Sequence, residues 1–124
     1  AVAETAVEGV RALFSDPVVA VFEVVDGAFF ELAGAGVDVV PTDDGIPETA
    51  VEAAVYRAGQ PRVVEEYAAR DDALTDAVAF VYLFPLGEHG LLWVGSADPF
   101  ASADRDLLTI LGRGVVAAFD RLAD

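Results

Sequence analysis

Cysteine, methionine and lysine are all absent from this 124-residue chain, and histidine occurs once. Without cysteine there can be no disulfide, thiolate metal site, cysteine nucleophile or thioether-linked chromophore; the absence says nothing about redox compartment. With no methionine even at position 1, either the initiator has been removed or the chain is a piece excised from a longer protein, and excision is the expectation. Long apolar runs are missing too: Arg11, Asp16, Glu23, Asp26 and Glu31 interrupt the N-terminal third, so nothing approaches the roughly 18 residues of a membrane span. The opening Ala1-Val2-Ala3-Glu4 lacks the basic leader of a signal peptide.

Positive charge is scarce. Seven arginines (Arg11, Arg57, Arg62, Arg70, Arg105, Arg113, Arg121) face 22 acidic residues, a formal charge of −15, while total charged content stays at an ordinary 23%. In molar salt the Debye length falls to about 3 Å, which screens repulsion among surface carboxylates and keeps such a surface soluble. The acids are scattered over nearly every loop and exposed helix face, a distribution that fits a salt-loving cytoplasm better than a docking surface for a basic partner. Direct nucleic-acid binding is not expected, because few cations are available to displace counterions from phosphates.

What remains is apolar: 55% of the residues are hydrophobic, enough for one domain with one core. Val7, Val10 and Phe14, with Ala3 and Ala6, recur at spacings of three and four and predict a helix over 4–14, stopped by Asp16-Pro17. Strands follow over 18–25 and 28–32, joined by the hairpin signal Asp26-Gly27. Residues 33–47 read mostly as loop, with a brief apolar stretch at 37–40. A helix over 48–58 would turn Val51, Ala54 and Val55 inward and end at Gly59. A short extended stretch over 60–64 and an irregular or briefly helical segment over 65–76 come next. The clearest strands are 77–85 and 90–96, joined by Leu86-Gly87-Glu88-His89-Gly90; in the first, Phe80, Tyr82 and Phe84 alternate with Ala79, Val81 and Leu83, so both faces are apolar and the strand is central. Ser102 can cap a last helix whose inward stripe is Leu107, Leu108, Leu111, Val115, Ala118, Phe119 and Leu122. This order suggests an antiparallel sheet with the terminal helices on one face and the middle helix and loops on the other.

Three stretches together resemble a GAF domain: Val55-Tyr56-Arg57-Ala58-Gly59-Gln60-Pro61-Arg62-Val63-Val64; Phe84-Pro85-Leu86-Gly87-Glu88-His89-Gly90-Leu91-Leu92-Trp93-Val94-Gly95-Ser96; and residues 100–120. The middle stretch is similar to the hairpin of that family's two central strands, and the last to its final helix. The acidic character resembles GAF segments of haloarchaeal regulators of the bacterio-opsin activator type and of haloarchaeal sensor histidine kinases. The resemblance implies an α+β sandwich (PAS/profilin-like) of five or six antiparallel strands, with helices 4–14 and 104–122 on one face and 48–58 with the loops on the other. It also implies a cytoplasmic, signal-sensing, small-molecule-binding module that passes its signal through the terminal helices to an output domain. A ligand-free dimerisation or connector module is the alternative, and an enzyme is not expected. A covalent bilin is excluded, the cysteine chemistry of the methionine sulfoxide reductases on this fold is absent, and no counterpart of the cyclic-nucleotide GAF signature is present; the ligand is left undefined.

Candidate ligand-contacting residues are Phe22, Phe30, Tyr56, Arg57, Tyr67, Phe80, Tyr82 and Trp93, with Phe84 among the same aromatics, since pockets are mostly apolar with a few placed polar groups; core packing is the competing reading for each aromatic. Arg57, Arg62 and Arg70 fall where family analogy places the pocket mouth and could hold an anion, although pairing with Glu65, Glu66, Asp71 or Asp72 is the ordinary expectation. His89 is expected as a solvated turn residue and no metal as a cofactor. The pairs Asp43-Asp44, Glu65-Glu66 and Asp71-Asp72 read as hydrated surface. Leu13, Ile110 and Val116 are outward positions of the terminal helices that would serve a homodimer interface.

Overall fold

The computed structural model describes residues 2–14, 17–36, 46 and 49–123. Helix α1 (Val2–Leu13) buries Ala3, Ala6, Val7 and Val10, the stripe its periodicity predicts. Strands β1 (Val18–Val25) and β2 (Ala28–Ala35) are joined by Asp26 and Gly27, whose φ angles of 51° and 81° are the paired positive values of a tight hairpin turn. Then come α2 (Val51–Ala58), β3 (Arg62–Val64), a 3₁₀ turn (Tyr67–Ala69), β4 (Phe80–Pro85), β5 (Gly90–Ser96) and α3 (Ser102–Ala123). All five strands pair antiparallel in the order β2-β1-β5-β4-β3. No helix among the described residues is long and apolar enough to cross a membrane.

Strand alternation sorts the core into two layers. Ala20, Phe22, Val81, Leu83, Leu91 and Trp93 face α2. Val19, Val21, Tyr82, Phe84, Leu92 and Val94 face α1 and α3, together with Val10, Leu108 and Val115. The terminal helices therefore share one side of the sheet, as the sequence pattern requires.

Several local expectations are corrected. Strand β2 runs on to Ala35 instead of ending at Leu32, because an irregularity between Val21 and Phe22 in its pairing absorbs Leu32 as an extra residue. That bulge swaps the sides on which later β2 residues lie, so Ala33 and Ala35 join the helix layer while Phe29 joins the α2 layer. Helix α2 begins at Val51, and its buried set is Val51, Glu52, Ala53 and Val55, with Ala54 exposed. The predicted strand 77–85 begins only at Phe80, and the apolar stretch 37–40 lies outside the described residues. Ala101, not Ser102, occupies the cap position of α3: its carbonyl accepts from the Arg105 N–H (3.1 Å), and Asp104 reaches back to its N–H at 3.0 Å. Leu107 and Leu122 are exposed, at 42% and 72%: Leu107 lies about a hundred degrees around the helix from the fully buried Leu108, and Leu122 lies beyond Val115, the last buried residue of α3 among those described. Val116, expected outward, is partly buried against the helix layer and lies near the turn at Gly87.

Helix α3 approaches the sheet through Gly112, where an added Cβ would lie 2.5 Å from the Phe84 ring, whereas one at Gly114 would meet nothing within 4 Å. The two glycines thus separate backbone entropy from packing. Gly112→Val should destabilise the fold by about 1–3 kcal/mol through overpacking. Gly114→Ala should stabilise it by roughly 0.5–1 kcal/mol through helix propensity. Urea denaturation at fixed high salt measures both, and equal effects of the two changes would contradict the close contact with Phe84.

Candidate functional site

Helix α2 has only eight residues, too few to be stable alone, so side chains from elsewhere must hold it. Its N-cap, Ala50, supplies no side-chain acceptor. The acceptor comes from a loop 21 residues away, where Asp72 Oδ2 takes the Val51 N–H at 3.1 Å. Arg70 fixes that carboxylate with Nε on Oδ1 at 2.8 Å and Nη2 on Oδ2 at 3.1 Å. The guanidinium bond holds the Asp72 carboxyl below its ordinary value, against a smaller opposing effect of burial.

At the next residue, the Glu52 side chain is wholly buried. Its Oε2 accepts from the Tyr67 hydroxyl at 2.5 Å and from the Trp93 indole Nε1–H at 3.0 Å; Oε1 has no hydrogen-bond partner among the described residues. The Tyr67 oxygen in turn accepts the Leu74 N–H at 2.9 Å, and the Tyr67 and Trp93 rings meet edge to face at 5.6 Å. Burial pushes the Glu52 carboxyl above its ordinary value, and the hydrogen bonds from Tyr67 and Trp93 offset only part of that rise. Burial, then the neighbouring Glu52 charge, pushes the Tyr67 hydroxyl up as well, so it stays a donor. Chemically this is a sealed hub: two donors and one acidic acceptor that fasten α2, the 3₁₀ turn and the following loop to the middle strand.

Beside the hub lies a cavity of about 150 Å³ lined by Val24, Gly27, Phe29, Ile46, Ala53, Tyr56 and Arg57. Tyr56 donates from its hydroxyl to the Glu88 carbonyl at 2.8 Å, linking α2 to the β4–β5 turn, and its ring meets Phe29 edge to face. Typical small-molecule pockets span about 300–1,000 Å³, so the space present suits a very small guest.

Of the residues singled out in the sequence, Phe22, Tyr56, Arg57, Tyr67 and Trp93 lie in this layer, Arg57 on its exposed rim. Phe30, Phe80 and Tyr82 do not. Phe30 pairs with Glu23, faces away from Phe29 and is 54% exposed. Phe80 and Tyr82 open onto a groove on the terminal-helix side, where Tyr82 bonds Thr109 at 2.7 Å. Alternation along β4 makes this unavoidable: once Leu83 faces α2, Phe80, Tyr82 and Phe84 cannot. Of the three dimer candidates, Leu13 and Ile110 are exposed, whereas Val116 is not. Along α1 and α3, an apolar groove of about 480 Å³ runs past Ala6, Gly9, Leu111, Gly114 and Ala118. His89 is no free turn residue: its ring stacks on Phe119 and its Nε2 lies 2.6 Å from Asp120 Oδ1. Arg70 makes the expected ion pair, with Asp72 as its partner.

The sequence reading missed Glu52. The signal was present: Glu52 sits between Val51 and Val55 on the inward arc of α2, and both Tyr67 and Trp93 carry a donor that needs an acceptor once buried.

No family model and no curated protein matches the chain. Solved structures do. The GAF domain of the cyanobacteriochrome TePixJ superposes with a TM-score of 0.72 at 17% identity, over 96% of this chain and 87% of that one. The GAF domain/HD domain protein from Geobacter sulfurreducens gives 0.77 at 14% identity, over 97% and 91%. A methyl-accepting chemotaxis protein gives 0.72 at 11% identity, over 97% and 86%. At these identities the likeness establishes the fold, and the fold is that of GAF domains.

The Glu52 hub sets a pH dependence of known sign. A carboxyl whose value is raised by folding keeps its proton in the folded state where the unfolded chain has lost it. Its contribution to stability is therefore complete below the ordinary glutamate value, about 4.3, and is lost as pH rises through the folded value. Glu52→Gln keeps an acceptor oxygen for Tyr67 and Trp93 but has nothing to titrate. The stability of the native protein relative to Glu52→Gln should fall as pH rises from about 4 to 8; a flat difference in urea denaturation would contradict the assignment. Glu52→Leu, which strands both donors, should cost about 2–5 kcal/mol.

Proposed function

We propose that this chain is a signal-input module of a multidomain regulator, in which a small molecule held between the sheet and the α2 layer biases the packing of the two terminal helices. The observation that carries this reading is the division between the two faces of the sheet. One is covered by α1 and α3, the elements at the two ends of the chain, packed against each other. The other is covered by a short helix and loops fastened through Asp72 and Glu52. Occupancy of the space beside Tyr56 and Arg57 would favour one arrangement of that layer, and a small shift of β5 and β4 would reach α3 through Phe84 and Gly112. Solved proteins with this fold include a cyanobacteriochrome and a chemotaxis protein, which supports a signalling role.

In this reading the acidic, lysine-free composition places the parent protein in a salt-loving archaeal cytoplasm, as a transcription regulator of the bacterio-opsin activator type. The domain carries no catalytic activity of its own and does not touch nucleic acid. It pairs with a second copy along α1 and α3, where Leu13 and Ile110 are exposed beside the apolar groove. A second reading is favoured by the small volume of the cavity beside α2: a connector that pairs without binding anything, as in a sensor histidine kinase.

Native mass spectrometry and light scattering of the protein purified in molar potassium chloride separate the two. A retained small molecule that Arg57→Ala or Tyr56→Ala releases supports sensing, whereas an empty dimer supports the connector. Ile110→Glu should convert either dimer to monomer without loss of helical signal. A monomer that retains nothing would contradict both.

A further inference from the structure

On the terminal-helix side of the sheet, beyond its β3 edge, is a groove of about 530 Å³, larger than the cavity beside α2 and within the range of small-molecule sites. Its floor and walls carry the rings of Phe80, Tyr82 and Phe100, and Arg62 and Arg105 line it from opposite elements, β3 and α3. In a chain with 22 acids and seven arginines, two arginines converge on this one groove, and among the described residues neither is in an ion pair. Among the described residues the Arg62 side chain makes no hydrogen bond, and the Arg105 side chain makes only a long one, 3.4 Å, to the Ser102 hydroxyl. Glu65, the acid sharing the groove, is in no ion pair with either among the described residues.

The polar wall has a defined direction. The Thr109 hydroxyl donates to the Arg105 carbonyl at 2.8 Å, which spends its one hydrogen. The Tyr82 hydroxyl must therefore be the donor in its 2.7 Å contact with Thr109, leaving the Tyr82 oxygen as an acceptor on the groove wall. Two guanidinium groups, one carboxylate and three rings describe a guest with an aromatic body and a single negative charge. The net charge of Arg62, Arg105 and Glu65 is +1, which a monoanion balances and a dianion overshoots.

We propose that this groove is a binding site for a small aromatic carboxylate, whose acid group is held by Arg62 and Arg105 and whose ring lies against Phe80, Tyr82 and Phe100. Charge-assisted bonds to two guanidinium groups supply affinity, and the rings supply selectivity for a flat apolar body. The site lies across the sheet from the α2 layer and touches β3 and the first two turns of α3, so its occupancy acts on the terminal helix directly. It does not depend on the sensing role proposed for the opposite face.

Titration of the isotopically labelled protein with 2-naphthoate, followed by amide NMR at constant potassium chloride, tests the assignment. Saturable shifts are expected at Arg62, Phe100, Arg105 and Thr109. Both the uncharged 2-naphthalenemethanol and the Arg62→Gln/Arg105→Gln protein should show binding weaker by at least about tenfold. Both arginines are exposed, so the double variant should keep the native Trp93 indole signal; Arg113→Gln, an exposed arginine outside the groove, should bind like the native protein. Absence of saturable shifts in the native protein would overturn the proposal. So would equal binding of the uncharged compound, unchanged binding by the double variant, or shifts confined to Phe29, Tyr56 and Arg57 on the other face.

Discussion

Strand β5 occupies the middle of the sheet and is denied water on both sides. Leu91 and Trp93 project toward α2, Leu92 and Val94 toward α1 and α3, and all four are buried. Its backbone is paired on either edge, with β1 and with β4. A strand in this position cannot tolerate one bare face, since each large side chain is worth about 1.5–3 kcal/mol of burial. Two covering layers are therefore obligatory. Trp93 adds a chemical condition: its indole N–H, taken out of water, needs an acceptor, and the layer above it must supply one. Glu52 meets that condition, which makes a buried acid in α2 a consequence of where Trp93 sits.

The two layers meet the obligation by different physics. The terminal helices cover their face with apolar side chains and close backbone approach, as at Gly112 against Phe84, and α3 is long enough to be a good helix in its own right. The α2 layer is short and is fastened by directional polar contacts: Asp72 at its first N–H, Glu52 in its first turn, and the Tyr56 hydroxyl on Glu88. Apolar packing of the first kind contains no group that titrates. Attachment of the second kind changes whenever a carboxyl gains a proton or a donor finds a different acceptor. A fold built this way has one face held by apolar packing and one held by polar contacts on the same sheet.

How much of this could be read from the sequence follows the same division. Periodicity reports apolar burial, so α1, β1, both strands of the central hairpin and the order of layers were legible from spacing alone. The aromatic pairing of faces along β4 was legible for the same reason, although assuming one shared pocket for Phe80, Tyr82 and Trp93 ignored the alternation that separates them. Polar decisions were not legible. Glu52 in α2 looks like any surface acid until the position of Trp93 is known. His89 reads as a turn residue because nothing nearby in sequence reveals Phe119 and Asp120 waiting one layer away. The bulge that absorbs Leu32 depends on pairing with β1, a partner choice that no local signal in β2 encodes. Leu107 reads as part of the inward stripe of α3, yet only Leu108 beside it faces the core, and Leu122 lies past the last buried residue of the helix.

An excess of 22 acids over seven arginines acts differently on these groups. Surface carboxylates repel one another through solvent, and dissolved ions screen that repulsion over roughly 3 Å in molar salt. Glu52 gains nothing from such screening, because ions cannot enter the layer that surrounds it and its cost is one of desolvation. The fold consequently has two separate electrostatic burdens. Salt relieves the one spread over the surface, and protonation or internal hydrogen bonding relieves the one beneath α2. Because the second is fixed by the Trp93–Glu52–Tyr67 geometry, the face held by polar contacts keeps its character whatever the ionic strength around it.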